Sequence, residues 1–423
     1  MSFPWKRTTI VGAAIALVAA AAPAASAATP DHRPAATAWQ GAWAAAQHHP
    51  LSDGGSGPGW FLDGFANQSV RQVVRVSTGG SRVRIRLSNR FGVEPLHVAG
   101  ATIAKAGSGA KLKPGTLRAL TFGRRLSATI APGRELTSDA AGLPVSALDS
   151  LSVTLYFTKP TGPATFHDLG LTTAYRASGD HRFDPSGTAF AGDTSNSRYY
   201  LAGIDVDGQR TARGTVVAFG DSITDGYGTA TNTDNRYPDE LAERLVSAGK
   251  RFGVVNEGVN GNKLLGDSTC YGEKGVTRFH RDVVAQPGVR TAIVLLGTND
   301  IGGGGYPDFG CGASAVVTDR QLINGFRALI RTAHAHGIKI IGATLPPMKG
   351  AAGYDTPRNQ DVRAAVNRWI RTSGEYDAVV DVAAVLTDPA TQVLRAEYNS
   401  GDQLHPNDAG ARAIAAAIDL ATL

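Results

Sequence analysis

Five residues of this chain are of types that together can hydrolyse an ester: Ser222, Gly261, Asn299, Asp402 and His405. A serine hydroxyl attacks a carbonyl carbon only when a base takes its proton. His405 can be that base and can later return the proton to the leaving group. Asp402 stands three residues earlier, in Asp402-Gln403-Leu404-His405-Pro406, so both side chains project from one loop. A carboxylate there fixes the imidazole tautomer and stabilises its cationic form. The carbonyl oxygen turns anionic during attack and needs hydrogen-bond donors. The backbone N–H of Ser222, the backbone N–H of Gly261 and the side-chain amide of Asn299 are the candidates. Glycine lets the backbone come close, and asparagine offers two N–H donors without a charge. Singly, each residue has a plainer explanation: a capping serine in Gly220-Asp221-Ser222, a turn glycine, a turn at Asn299-Asp300, a cap and a surface histidine before a helix. Their joint placement decides the matter.

That placement follows from the elements around them. Val216 to Phe219 is a short apolar run closed by Gly220, which reads as a buried strand meeting a sharp turn, with Ser222 in the first turn of a helix. Free backbone N–H groups and the helix dipole favour negative charge there. Further strands are predicted at Phe252–Val255, Thr291–Leu296, Ile338–Thr344 and Ala378–Val382. Helices are predicted at Arg236–Ala248, Thr318–His336, Arg358–Thr372 and Pro406–Leu420, the last with Pro in its first turn. Apolar strands alternating with helices mean a parallel sheet covered on both faces, with its ligand site at the carboxyl ends of the strands. Those ends deliver Gly220-Asp221-Ser222, Asn256-Glu257-Gly258-Val259-Asn260-Gly261 and Gly297-Thr298-Asn299-Asp300, while Asp402 and His405 precede the last helix.

These blocks resemble the GDSL esterases and lipases, also called SGNH hydrolases. GDSIT carries Ser222, NEGVNG ends in Gly261 (with Gly258 as a competitor for the role), GTND carries Asn299, and DQLHP carries Asp402 and His405. The resemblance covers roughly half the chain, from Val216 onward. It implies a three-layer α/β/α domain with five parallel strands, hydrolysis of carboxylic esters through an acyl-enzyme, and no metal or cofactor.

Upstream the texture differs. Val70 to Val76 is strand-like, and after the turn Thr78-Gly79-Gly80 the stretch Arg82–Leu87 alternates strictly, with Val83, Ile85 and Leu87 on one side and Arg82, Arg84 and Arg86 on the other. The arginine row reads as a solvated face. Leu151, Val153, Leu155 and Phe157 repeat the alternation, and short runs such as Leu96–Ile103 and Thr188–Ile204 lie between turn clusters. Many short strands of this kind suggest an all-β, jelly-roll-like sandwich. Trp39 and Trp43, four apart, fit one face of a helix and belong to the core, with sugar stacking as the alternative. The domain plan is a signal peptide at 1–27, a β-sandwich accessory domain at 28–210 and the hydrolase domain at 211–423. A sandwich ahead of such a domain is similar to the arrangement of some secreted carbohydrate esterases.

The 423 residues, 42 % hydrophobic and 18 % charged, exclude disorder throughout and fit two domains. Lys6 and Arg7, the apolar run Ile10–Ala22 and Ala25-Ser26-Ala27 form a secretion signal. Its removal takes two basic and no acidic residues, lowering the net charge from +6 to +4. So small an excess argues against nucleic acid as a partner. No stretch predicts membrane insertion, and the expectation is an extracellular monomer. His334 and His336, two apart on a helix, point to different faces and do not make a metal site. His48-His49 shows no ligand spacing, and Gly302–Gly305 lacks a nucleotide-binding pattern. Cys270 and Cys311 form one disulfide or remain two thiols. Bonded, they tie the loops after Gly261 and Asn299 and wall the acyl pocket, with Gly302–Gly305, Tyr306 and Phe309 as an aromatic lip. The predicted function is a secreted serine esterase removing small acyl groups (acetyl or feruloyl) from plant polysaccharide. The alternatives are a lipase or phospholipase A, and a carbohydrate-binding or adhesion protein with a secondary hydrolase domain.

Overall fold

Val83, Ile85 and Leu87, alternating along the strand Gly80–Ser88, are fully buried, and so are Leu151, Val153, Leu155 and Phe157 along Ser150–Phe157. A strand points successive side chains to opposite faces, so each strand turns an apolar row onto one core. The structure is a computed structural model and describes residues 1, 9, 39–50, 58–208, 212–303, 311 and 314–423. Residues Ala38–Leu423 make one compact unit, and Met1–Thr37 another, of which only residues 1 and 9 are described. Apart from residues 1 and 9, the predicted signal peptide and leader lie outside the described residues, as do Gly304, Gly305, Tyr306 and Phe309.

Two antiparallel sheets build the first half. In one, the order is Trp39–Ala44, Leu201–Asp207, Gly80–Ser88 and Glu135–Thr137, with Ala141–Val145 also on Gly80–Ser88. In the other it is Thr194–Ser195, Ala174–Ser178, Gln68–Arg75, Ser150–Phe157, Gly100–Lys105 and Arg118–Leu120. Their inner faces share one apolar core that includes Val70, Val83, Ile103, Leu151 and Ile204. This is the β-sandwich arrangement.

The second half is a parallel sheet in the order Phe252–Gly258, Gly214–Gly220, Val289–Leu295, Lys339–Ala343 and Ala378–Val380. Val217, Phe219, Ala292 and Val294 pack on one side with Leu322, Phe326, Val366 and Ile370. Val216, Ala218, Ile293 and Leu295 pack on the other with Leu241, Leu245, Ile414 and Ala415. Both faces being covered explains why these strands are apolar throughout. The three-layer α/β/α fold and five parallel strands agree with expectation. From the strand Gly214–Gly220 the chain moves first to one neighbour and then to the other, a switch point where a crevice opens at the strand ends.

Four local expectations fail. Trp39–Ala44 is a strand, not a helix, because it pairs with Leu201–Asp207. Pro406 lies outside the last helix, Asp408–Ala417, which Asn407 caps through the Gly410 N–H. Asn256, Glu257 and Gly258 belong to the strand rather than the following loop. The arginine row is not a solvated face: Arg84 and Arg86 both reach Asp205, which is fully buried, at 2.9 and 3.2 Å, and Arg82 reaches Asp207. The aspartates sit on the adjacent strand, Asp205 directly opposite Arg84, so cross-strand pairing supplies the countercharge. Arg86 then extends to Gln286 at 2.7 Å in the α/β half, and Trp39 lies under Arg84 at 4.3 Å.

Candidate active site

The strand Gly214–Gly220 runs into the short helix Ser222–Asp225, whose N-cap Asp221 accepts the Ile223 N–H at 3.1 Å. The helix therefore begins at Ser222, at the carboxyl edge of the sheet. Ser222 Oγ lies 2.8 Å from His405 Nε2, and His405 Nδ1 lies 2.6 Å from Asp402 Oδ2. A carboxylate only accepts, so Nδ1 carries the proton and Nε2 is left to receive that of Ser222. Burial pulls Asp402 upward. The hydrogen bonds from the His405 ring and from the His405 and Leu404 backbone N–H groups outweigh it, and hold the carboxyl well below the usual range. Asp402 thus stays ionised and keeps the imidazole in the accepting tautomer.

Gly261 and Asn299 line the same cavity as Ser222 and His405, a space of about 510 Å³ that Lys263 and Tyr354 also border. Gly261 has φ +71°, and a Cβ on it would stand 2.3 Å from the Tyr271 ring. At Gly258 the constraint is different, since a Cβ there would lie 2.3 Å from the Asp225 backbone nitrogen; its bareness lets strand and helix touch. Of the two competing glycines, only Gly261 faces the cavity. Asn299, in the helix Thr298–Gly302, donates one amide hydrogen from Nδ2 to the Asn262 carbonyl at 3.0 Å and accepts from the Tyr354 hydroxyl at Oδ1, 2.7 Å. The Asn262 carbonyl, which only accepts, fixes which end of the amide carries nitrogen; the Tyr354 hydroxyl then donates to the oxygen end, which leaves one N–H for the cavity.

Burial shapes the neighbouring carboxyls. Asp221 is buried and pushed up to about 7, and its Oδ2 makes no hydrogen bond. Asp300 is pushed up to about 6 by burial despite accepting the Leu264 and Leu265 N–H groups, which hold the loop after Gly261. Arg278, almost wholly buried, ties two neighbouring strand ends and the loop after one of them together: it donates to the Asn262 side chain, the Glu257 carbonyl and the Gly220 carbonyl at 2.9, 2.8 and 2.7 Å. Cys270 and Cys311 are bonded, and Cys311 borders the cavity. Among the described residues, no group of three or more His, Cys, Asp or Glu side chains could hold a metal ion, and no helix is long and apolar enough to cross a membrane.

The structure brings all five expected residues to one cavity. Tyr354, Arg278 and Tyr227, whose ring lies 4.4 Å from that of His405, were not foreseen. An isolated tyrosine or arginine carries no sequence signal for the partner that tertiary folding assigns it. The arrangement can accept a proton from Ser222, hold the resulting imidazolium, and offer donors to an oxyanion.

Residues 218–413 match the GDSL-like Lipase/Acylhydrolase family. No curated protein matches the chain. Among solved structures, a putative lipolytic protein of the G-D-S-L family from Desulfitobacterium hafniense is 23 % identical, covering 48 % of this chain and 97 % of its own, with a TM-score of 0.36. The lipase/acylhydrolase from Enterococcus faecalis is 21 % identical over 48 % and 92 %, TM-score 0.36. An acetylxylan esterase from Geobacillus stearothermophilus is 20 % identical over 49 % and 92 %, TM-score 0.37.

Proposed function

We propose that this chain, whose residues 218–413 form a GDSL-like lipase/acylhydrolase domain, is a serine esterase that cleaves small acyl groups from a polysaccharide such as xylan. The observation that carries the proposal is the relay from Ser222 through His405 to Asp402, at 2.8 and 2.6 Å, inside the cavity. Ser222 Oγ attacks the ester carbonyl while His405 Nε2 takes its proton, and Asp402 stabilises the imidazolium. The tetrahedral oxyanion meets the N–H groups of Ser222, Gly261 and Asn299. Its collapse expels the alcohol, protonated by His405, and leaves an acyl group on Ser222. Water, activated by the same histidine, then releases the acid.

The preference for a small acyl group is supported by the cavity wall, which carries Lys263, Ser314, Tyr354 and Asn260 rather than a continuous apolar surface. The wall also includes Cys311, so the disulfide to Cys270 braces it. That bond and the basic, apolar and Ala-Ser-Ala pattern of residues 6–27 support export to an oxidising compartment. The division at residues 210–211 is proposed with it, as the link between the last sandwich strand and the first parallel one.

The test is release of nitrophenol from nitrophenyl esters of increasing acyl length, and of acetate from acetylated xylan, by wild type and Ser222→Ala. Turnover that is greatest for acetyl and lost in the variant is expected. Equal rates in the two proteins would overturn the esterase reading and favour a binding protein. An optimum at long acyl chains would favour a lipase.

A further inference from the structure

His167 comes from the β half of the molecule, at the end of the strand Phe166–His167, yet its side chain is buried against the helix that begins with Ser222. Its Nδ1 lies 2.8 Å from the Ala46 carbonyl oxygen. Its Nε2 lies 3.0 Å from Asp225 Oδ1 and 3.3 Å from the Leu169 carbonyl oxygen. Both ring nitrogens therefore face acceptors. A neutral imidazole has one donor and would leave one of these contacts unmade; the imidazolium satisfies both. Asp225 is buried as well, and ends the Ser222–Asp225 helix. Its Oδ2 accepts the backbone N–H of Asn260 at 2.9 Å, the residue before Gly261. One carboxylate thus binds the helix of the nucleophile to the loop of the oxyanion donor, and the charge opposite it comes from the other half of the chain.

We propose that protonated His167 is a positioning residue for the reaction at Ser222, holding Asp225 so that the helix and the Asn260–Gly261 loop keep their mutual geometry. The inference rests on the esterase reading above. Removing the proton leaves a buried carboxylate with a weaker partner, and a misplaced oxyanion donor costs rate rather than substrate affinity. The charged groups around the pair are consistent with this. Burial alone would lower His167, but Asp225 and, less strongly, Asp168 raise it above the ordinary histidine value. His48, 6.2 Å away ring to ring, is held down to about 4 by burial, accepts the Asp168 N–H at Nε2, and is neutral at working pH. Arg236, which senses Asp225, spends its charge on Asp239 at 2.6 Å.

A raised histidine stabilises fully below its unfolded value near 6.5 and loses that contribution as pH rises through the folded value. The general base of the triad works in its neutral form, so the relay by itself gives no alkaline loss, and an alkaline fall in kcat is the signature of His167. The experiment measures kcat and KM against pH with a nitrophenyl acetate, for wild type, His167→Gln, Asp225→Asn and Arg75→Met. His167→Gln is expected to lower kcat at neutral pH by about 10- to 100-fold, leave KM within about two-fold, and abolish the alkaline limb, so that it converges with wild type at high pH. Asp225→Asn should behave likewise. Arg75→Met breaks another contact between the two halves, the ion pair with Glu243 at 2.7 Å, and should lower the unfolding midpoint while sparing kcat and its pH profile. A wild-type kcat and unchanged alkaline limb in His167→Gln, or the same loss of that limb in Arg75→Met, would overturn the inference. If His167→Gln does not fold, the wild-type profile decides: no alkaline limb below the pH of unfolding, followed by fluorescence, also overturns it. Turnover surviving in Ser222→Ala sinks the esterase reading instead, whatever His167 does.

Discussion

Replacing Tyr354 by Phe removes one oxygen atom, some distance along the chain from any expected site residue, and is expected to slow the enzyme markedly. The hydroxyl donates to Asn299 Oδ1 at 2.7 Å, and both residues are buried. Without it Oδ1 loses its donor, a cost to folding of about 1–3 kcal/mol. The larger effect is on orientation. The amide nitrogen is kept toward Asn262 and the cavity by the tyrosine on one side and the Asn262 carbonyl, 3.0 Å away, on the other. With one restraint gone, the amide is held at its nitrogen end only, and its second N–H is no longer kept aimed at the oxyanion position. Complete loss of an oxyanion donor costs about 3–4 kcal/mol, or roughly 10²–10³ in kcat; with the Asn262 bond still present, a fall of about 10- to 100-fold is expected. The interaction exists for the charged transition state, so KM should change by less than about three-fold. The assay is steady-state hydrolysis of a nitrophenyl acetate, with Asn299→Ala and the double variant alongside. If tyrosine acts through the amide, the double variant is no slower than Asn299→Ala. A Tyr354→Phe enzyme with wild-type kcat, or effects that multiply in the double variant, would refute the argument.

Three other outcomes follow from the same geometry. Asp402→Asn puts an amide beside His405 Nδ1, allows the wrong tautomer, and should lower kcat by about 10²–10⁴ with little change in KM; a smaller loss would mean that the tautomer is set elsewhere. Asp221 is raised to about 7 by burial, so its contribution to stability is present below the unfolded value near 3.9 and lost as pH rises through 7. Asp221→Asn keeps an acceptor for the Ile223 N–H and should gain up to about 4 kcal/mol relative to wild type between pH 4 and pH 9, read as unfolding midpoints across that range; parallel curves for the two proteins would contradict it. The bond between Cys270 and Cys311 spans 41 residues, and its loss in Cys270→Ser/Cys311→Ser should cost about 4 kcal/mol by loop entropy. Because Cys311 borders the cavity, acyl-chain preference should broaden too; an unchanged chain-length profile would show that the bridge does not shape the pocket.

The α/β half could be read from the chain because its signals are local. A strand buried on both faces is apolar at every position, and a helix covering it repeats its apolar residues at helical spacing, as Leu322, Phe326 and Leu329 do. The β half could be read only in class. The strand Leu201–Asp207 pairs with both Trp39–Ala44 and Gly80–Ser88, partners more than a hundred residues away, and nothing in Trp39-Gln40-Gly41-Ala42-Trp43 announces that pairing. Trp39 and Trp43 at helical spacing accordingly misled. The arginine row misled for the same reason, since its countercharge, Asp205, is distant in sequence and adjacent only in the sheet.

At the site, sequence alone determined which residues have the chemistry: a serine after a strand, a glycine and an asparagine at neighbouring strand ends, and an aspartate and histidine close enough to share a loop. Spacing of three residues is itself a geometric restraint, so the Asp402–His405 contact was legible before any fold was known. What only the tertiary structure decided is how those groups are held. Tyr354 orients Asn299, Arg278 ties Gly220 to Asn262, and His167 meets Asp225 across the two halves. Each supporting group acts through hydrogen bonds or an ion pair to residues distant in the chain, and a hydrogen bond leaves no periodicity in the chain that makes it.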